Sequence, residues 1–326
     1  FGDTRSDHDA HREVMAAIGL EDFDALVHTG DLTSRGTDVV EYDTFFEIEG
    51  PVIDRVPLYP VVGNHDDGEG DAAMFSESFA LPDEELYYSF DLGNSRVVIL
   101  DGHVNMVLAC VYEEVLIDTC FDEVQLAWLE ADLAEALANP SVEHVFVVNH
   151  VGPYSSKSGR TGSAHLRYLM PLFEQYGVRA LLSGHDHYYE RGFADNGIVS
   201  LITGGGGAPL YTIGEPTDDP HTVEYNDSIN HYVMVEVDHE TIRFSARDIE
   251  GVTFDELLLS VDPTEQDPPT DDDDDDEPRT GVPLTDARTG CECTAVPGGD
   301  ARAAASALLM GLTLLILRRR SSSGRR

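Results

Sequence analysis

Residues 178–187 read VRALLSGHDH: an apolar run that gives way to a glycine and then to His185, Asp186 and His187. The pattern recurs along the chain. DALVHTGDL (24–32) delivers Asp31, LYPVVGNHD (58–66) delivers Asn64 and His65, VFVVNH (145–150) delivers His150, and the chain opens on FGD, which carries Asp3. Phe1 to Asp3 read as the exit of a strand that begins upstream of Phe1. In open α/β sheets, side chains converge beyond the carboxyl ends of the strands, where the chain turns. Five strand ends bearing oxygen and imidazole donors therefore predict one site. Each fragment alone is weak, since GD is usually a turn and an isolated histidine usually a satisfied core or surface residue. Their order, each behind an apolar run, is what points to chemistry.

Outward from these motifs, apolar runs alternate with amphipathic stretches from Phe1 to about Val261, which predicts an α/β layered domain. In EVQLAWLEADLAEAL (123–137), Leu126, Leu129, Leu133 and Leu137 recur at helical spacing and predict a helix with one face on a sheet. HYVMVEVDHETIRFSARD (231–248) predicts two strands about a turn at Asp238 to Glu240, closing the domain. The catalytic domain is thus set at 1–262. Cys110 and Cys120 flank a short segment and suit a disulfide in an oxidising compartment.

The formal net charge is -42, and Lys157 is the one lysine among 20 basic residues. That balance argues against a nucleic-acid partner, because a polyanion needs a basic face and none is evident outside the chain's last residues. A phosphorylated substrate would also be repelled at long range, so an anion must be captured by something locally positive, such as a metal ion. The acidity itself reads as a solvated surface and says nothing of function.

Residues 263–290 are rich in proline, threonine and aspartate, with six aspartates in a row, and predict an extended acidic tether. Residues 291–326 combine Cys291 and Cys293, a small-residue spacer, an apolar run to Leu317 and arginines at 318–320. This tail resembles the MYXO-CTERM sorting signal of myxobacterial surface proteins. The resemblance implies processing near the cysteine by a sorting peptidase, a lipid on Cys291 and display at the cell surface. A plain transmembrane anchor is the alternative, with the arginines left cytoplasmic. Both place the domain outside the cytoplasm.

The ordered set GD, GD, GNHD, NH, GHDH resembles the calcineurin-like metallophosphoesterase superfamily. GHDHYYER, HVGPYSS and ITGGGGAPLY are most similar to its purple acid phosphatase branch. The resemblance runs from Phe1 to about Val261. It implies a four-layer α/β/β/α sandwich of two mixed sheets, with a dinuclear metal site at the C-terminal ends of strands. By the same resemblance Asp31 bridges two metals, Asn64, His150 and His185 complete one shell, and Asp3 and His187 belong to the other. His65 matches the histidine that contacts substrate. Two cations about 3.5 to 4 Å apart can turn a shared water into an attacking hydroxide and clamp the phosphoryl oxygens. His65 can then protonate or stabilise the leaving alkoxide.

The chain departs from the pattern twice. Arg5 stands where most of the superfamily has a ligand histidine, and Ser34 stands where the purple branch has a tyrosine. The metal at Asp3 therefore lacks one protein ligand. Water, or His8 or His11, can fill the gap, or the site is partly occupied. Iron, zinc and manganese all suit such mixed nitrogen and oxygen sites. Arg5 reads as a phosphate clamp or as a salt bridge to a nearby acid. Lys157 and Arg160 read as anion capture or as exposed surface, and glycines 204–207 as a backbone approach to the metals or a plain loop. The expected function is hydrolysis of phosphate monoesters or diesters; the alternative is a surface-anchored metal- or phosphate-binding module.

Overall fold

The computed structural model describes residues 1–82, 86–112, 115–194, 196–213 and 221–261. The chain divides into the units Phe1–Arg288 and Thr289–Arg326. The acidic tether and the Cys291 tail expected from the sequence lie outside the described residues. Among the described residues, no helix is long and apolar enough to cross a membrane.

The chain begins with α1 (His8–Ile18), β1 (Leu26–His28), α2 (Val39–Ile53), β2 (Leu58–Pro60) and α3 (Ala73–Ser78). It continues through β3 (Tyr88–Leu92), β4 (Ser95–Ile99), β5 (Met106–Tyr112), β6 (Val115–Phe121), α4 (Glu123–Ala138) and β7 (His144–Val151). Then come α5 (Ala164–Tyr168), α6 (Met170–Gln175), β8 (Val178–Gly184), β9 (Tyr189–Phe193) and β10 (Val199–Thr203). It closes with β11 (Thr222–Asn226), β12 (His231–Val237), β13 (Thr241–Asp248) and β14 (Thr253–Ser260).

Seven strands make one mixed sheet in the order β11, β9, β10, β8, β7, β4, β3. Its centre, β10, β8, β7 and β4, is parallel, and β3, β9 and β11 are antiparallel to their neighbours. Side chains of β7 alternate between two cores. Val145 and Val147 pack on one face with Leu129 and Leu133 of α4, Leu166 of α5 and Phe173 of α6. Phe146 and Val148 pack on the other with Val61, Ile242 and Phe244. A parallel strand buried on both faces reads as a continuous apolar run, which is why VFVV carries no alternation.

The facing layer holds the parallel pair β1 and β2 and the antiparallel triplet β12, β13 and β14. Phe1 to Asp3 lie beside β1, with Thr29 N–H donating to Phe1 O at 2.9 Å and Asp3 N–H to Gly30 O at 2.9 Å. Outside it, Val14, Met15 and Ile18 of α1 pack with Ile48 and Val52 of α2. The order is therefore helices, large sheet, second layer, helices, as expected. The second layer differs from the expected mixed sheet in being two separately paired pieces.

Two local expectations need correction. On α4, Leu129, Leu133 and Ala136 are buried while Leu137 is 49% exposed, so Ala136 continues the stripe in place of Leu137. The Asp238 turn forms as expected, its carboxylate accepting from Glu240 N–H and Thr241 N–H, but a further strand, β14, follows the hairpin. Cys110 and Cys120 are disulfide-bonded across the β5–β6 hairpin.

Candidate metal centre

The parallel strands deliver the donor residues to one edge of the sandwich. Asp31 and Asn64 follow β1 and β2, His150 is the penultimate residue of β7, and His185 follows β8. Four ligand atoms meet there. His150 Nε2 lies 3.3 Å from Asp31 Oδ1, 3.2 Å from Asn64 Oδ1 and 3.3 Å from His185 Nδ1, which is 2.9 Å from Asn64 Oδ1. Ligands about 2.0–2.1 Å from a tetrahedral ion stand roughly 3.4 Å from one another, so the four fit one metal. The protonation pattern fits too. His150 donates from Nδ1 to Thr29 O at 2.7 Å, which leaves Nε2 with its lone pair. Burial keeps His150 below the usual histidine range and, with His150 and Arg160 nearby, brings His185 to about 2, so both rings are neutral and ready to ligate.

A second group lies beside the first. Ligand atoms of Asp3, Asp31 and His187 all lie within 4.8 Å of one another, and His187 Nε2 is 3.5 Å from Asp3 Oδ1. His187 donates from Nδ1 to Pro209 O at 2.9 Å, which again leaves Nε2 facing the carboxylates. Asp3 Oδ1 is buried and has no hydrogen-bond partner, an open lone pair aimed at the group. Burial and the Asp31 charge push the Asp3 carboxyl well above its ordinary value. Burial would raise Asp31 as well, but the surrounding histidines, the His65 N–H and the Arg5 guanidinium outweigh it and hold its carboxyl below the ordinary value. A buried pair of carboxylates with opposed shifts is a place that cations would neutralise. The residues therefore fit two metal ions sharing Asp31.

The backbone is strained to make this happen. Asp3, Asp31 and His185 have φ of 60°, 58° and 68°, left-handed values that cost a non-glycine residue on the order of 1 kcal/mol or more. The preceding glycines permit the crowding: a Cβ on Gly63 would run into Asp31, and one on Gly184 into the Asp3 carboxylate.

The sequence profile of calcineurin-like phosphoesterases matches residues 1–189, more than half of the 326-residue chain. The chain belongs to the calcineurin-like phosphoesterase family. It is similar to acid phosphatase type 7 of Homo sapiens, with 28% identity over 186 residues covering 52% of this chain and 41% of that protein. It is also similar to tartrate-resistant acid phosphatase type 5 of Homo sapiens, with 27% identity over 167 residues covering 47% and 50%. The solved purple acid phosphatase from Lupinus luteus seeds superposes with a TM-score of 0.67 at 20% identity, over 82% of this chain and 54% of that one, and shows the shared fold. The chain spans 30–50% of the length of these and other curated relatives it matches.

In this calcineurin-like phosphoesterase the remaining expected residues fall as follows. His65 donates its backbone N–H to Asp31 Oδ1 at 2.9 Å and, from Nδ1, a bond to Ser34 O at 3.0 Å. Its Nε2 stays 3.9 Å from Asp31 Oδ2 at the mouth of the site. Arg5 donates from Nε to Asp31 Oδ2 at 3.1 Å, and its Nη2 lies 3.3 Å from His187 Nε2. Ser34 is hydrogen-bonded to Ser6, 3.2 Å between hydroxyls. His11 is buried against Glu49, Nε2 to Oε1 at 2.8 Å, so it does not fill the gap in the Asp3 shell. The 204–208 loop bonds the N-terminal segment: Gly206 N–H to Gly2 O at 2.9 Å and Ala208 N–H to Asp3 O at 2.6 Å. It braces the segment that carries Asp3. Arg160 pairs with Asp186 at 2.6 Å, and Lys157 lies over the Tyr211 ring, which stacks on His187 at 4.1 Å.

Two residues at the site are absent from the sequence-based set. Asp66 is fully buried and accepts from Leu32 N–H, Thr33 N–H, Thr33 Oγ1 and Gly63 N–H at 3.0–3.2 Å. It ties the Asp31 loop to the Asn64 loop. His103 has its ring 5.3 Å from that of His150, and its buried Nε2 has no partner. Burial and the neighbouring His150 bring it to about 3, so it is neutral. The run SRVVILDGH has the same apolar-then-glycine-histidine form as the other motifs and could have flagged it.

Proposed function

We propose that this domain is a metal-dependent phosphoesterase hydrolysing phosphate monoesters or diesters. The observation that carries the reading is the convergence of Asp31, Asn64, His150 and His185 within 2.9–3.3 Å, beside Asp3 and His187. When bound, two cations would supply an acidified water and neutralise the phosphoryl oxygens. The chain's own residues do the rest. Asp31, shared by both groups, sets their separation. His65 is held by Ser34 O through Nδ1, so its Nε2 is aimed at the mouth, and the doubly protonated ring can donate its Nε2 proton to the leaving alkoxide. Beside His185 opens a cavity of about 180 Å³ lined by Tyr154, Arg160, Thr161 and Asp186, large enough for a small leaving group.

The protein with metal restored should cleave an aryl phosphate or a bis-aryl phosphate, and Asp31→Asn should lower cleavage by about a thousandfold or more. Cleavage of neither ester, or full activity in D31N, would end the reading. A second reading, a metal- or phosphate-binding module without turnover, is favoured by the Arg5 contact with Asp31. Metal content at saturating free metal separates the two: about two ions per chain supports the enzyme, one or none the module. We also place the domain outside the cytoplasm, supported by the Cys110–Cys120 disulfide and the sequence of the 291–326 tail. Fractionation of cells expressing the full chain tests that placement.

A further inference from the structure

The two groups of metal-ligand atoms differ in what else touches them. In the group made by Asp31 Oδ1, Asn64, His150 and His185, the four atoms face one another and no side-chain cation intrudes among the described residues. In the other group the guanidinium of Arg5 lies on two of the three ligand atoms, donating to Asp31 Oδ2 at 3.1 Å and to His187 Nε2 at 3.3 Å. His187 Nδ1 is committed as a donor to Pro209 O, so its Nε2 lone pair is the one Arg5 occupies. A lone pair can serve a guanidinium N–H or a metal, but not both at once. A fixed positive charge at this distance also repels a divalent ion directly. The Arg5 side chain is only 15% exposed, and its Nη1 lies 3.2 Å from Ser6 Oγ, which holds the fork in place.

We infer that Arg5 is a built-in competitor for the metal at Asp3, Asp31 and His187, so that the Asn64, His150 and His185 site fills first and the Arg5 site fills only at higher free metal. The inference rests on the two-site phosphoesterase reading above and adds an order of loading to it. Asp3 Oδ1 is the one atom of the second group that Arg5 leaves unsatisfied. It marks the coordination position a second ion would take once the guanidinium moves aside. The occupancy of that position then depends on the free metal concentration, and activity would report metal supply.

The test is equilibrium dialysis of the full chain against buffered zinc, with bound metal counted by elemental analysis, on wild type, Arg5→Ala and Arg5→His. Circular dichroism and thermal melting confirm that each variant folds, and the histidine variant covers the case where alanine does not. The wild type should bind one ion tightly and a second only at free zinc raised by about tenfold or more. In R5A and R5H the two steps should draw together, by about tenfold or more, and R5H most. Two equal steps in the wild type, or an unchanged gap in both variants, would overturn the inference. So would a raised Michaelis constant in R5A with unchanged zinc uptake, which is the signature of a phosphate clamp. Aryl phosphate hydrolysis is followed on the same samples. Stepwise loading without hydrolysis keeps the inference and ends the enzyme reading, whereas no zinc bound by any variant ends both.

Discussion

At the scale of single residues, His65 is the side chain whose role is most separable from metal binding. Its backbone N–H holds Asp31, its Nδ1 is anchored to Ser34 O, and its Nε2 lies 3.9 Å from Asp31 Oδ2 at the mouth, outside both groups of ligand atoms. His65→Ala should therefore lower kcat by about a hundredfold to a thousandfold while bound metal per chain stays at the wild-type level. Loss of metal together with activity would show that His65 is structural instead. The positions of His65 and the candidate ligands were legible because each closes a segment that begins with an apolar run. Asp66 was not, although it is the next residue. Its work is to collect N–H groups from Leu32 and Thr33, more than thirty positions away, and nothing local to GNHD announces those partners. Arg5 was legible as a departure and as a salt bridge to a nearby acid, which Asp31 supplies at 3.1 Å, but its reach to His187 crosses 182 positions of sequence.

At the scale of elements, the parallel centre of the large sheet was the easiest part to read. β7 carries the apolar run VFVV and β8 the run ALL behind Arg179, and the chain turns at their ends with glycine and histidine. The edges were harder. The β5–β6 hairpin has Leu108, Val111 and Leu116 exposed, so its sequence lacks the alternation that marks a half-buried strand. What was legible there was the cysteine pair. The disulfide closes a loop of separation 10 across that hairpin, and the hairpin delivers Phe121 and Asp122 to the start of α4. Loop-closure entropy for so short a loop predicts that Cys110→Ser lowers stability by about 2–3 kcal/mol. Chemical denaturation of the wild type with and without reductant checks it: the reduced wild type should fall to the level of C110S, and C110S should not respond. An unchanged midpoint in C110S would mean the hairpin is held by its contacts alone.

At the scale of the whole molecule, 62 acidic residues face 20 basic ones, and several arginines are spent on ties between elements. Arg191 forks onto Asp255 of β14 at 2.6 and 2.9 Å, Arg247 reaches Glu21 at 2.7 Å, and Arg96 bridges Asp132 of α4 at 2.7 Å. With so many carboxylates, acid would be expected to relieve repulsion and help the fold. The interior works against this. His165 is 3% exposed and its Nδ1 accepts the Phe121 N–H at 2.9 Å, and burial brings its pKa to about 4. In the unfolded chain a histidine titrates near 6.5. Between those values the unfolded state binds more protons, so stability rises with pH there; the contribution is full above about 6.5 and is lost as pH falls toward 4. At pH 5 the loss from this one group is about 2 kcal/mol. Asparagine at position 165 offers an acceptor without a titrating ring. Denaturation at high, fixed salt, which screens the surface carboxylates, isolates the term. The stability gap between wild type and His165→Asn should narrow by about 2 kcal/mol from pH 7.5 to pH 5, and parallel pH profiles would show that the buried imidazole does not set the acid limit.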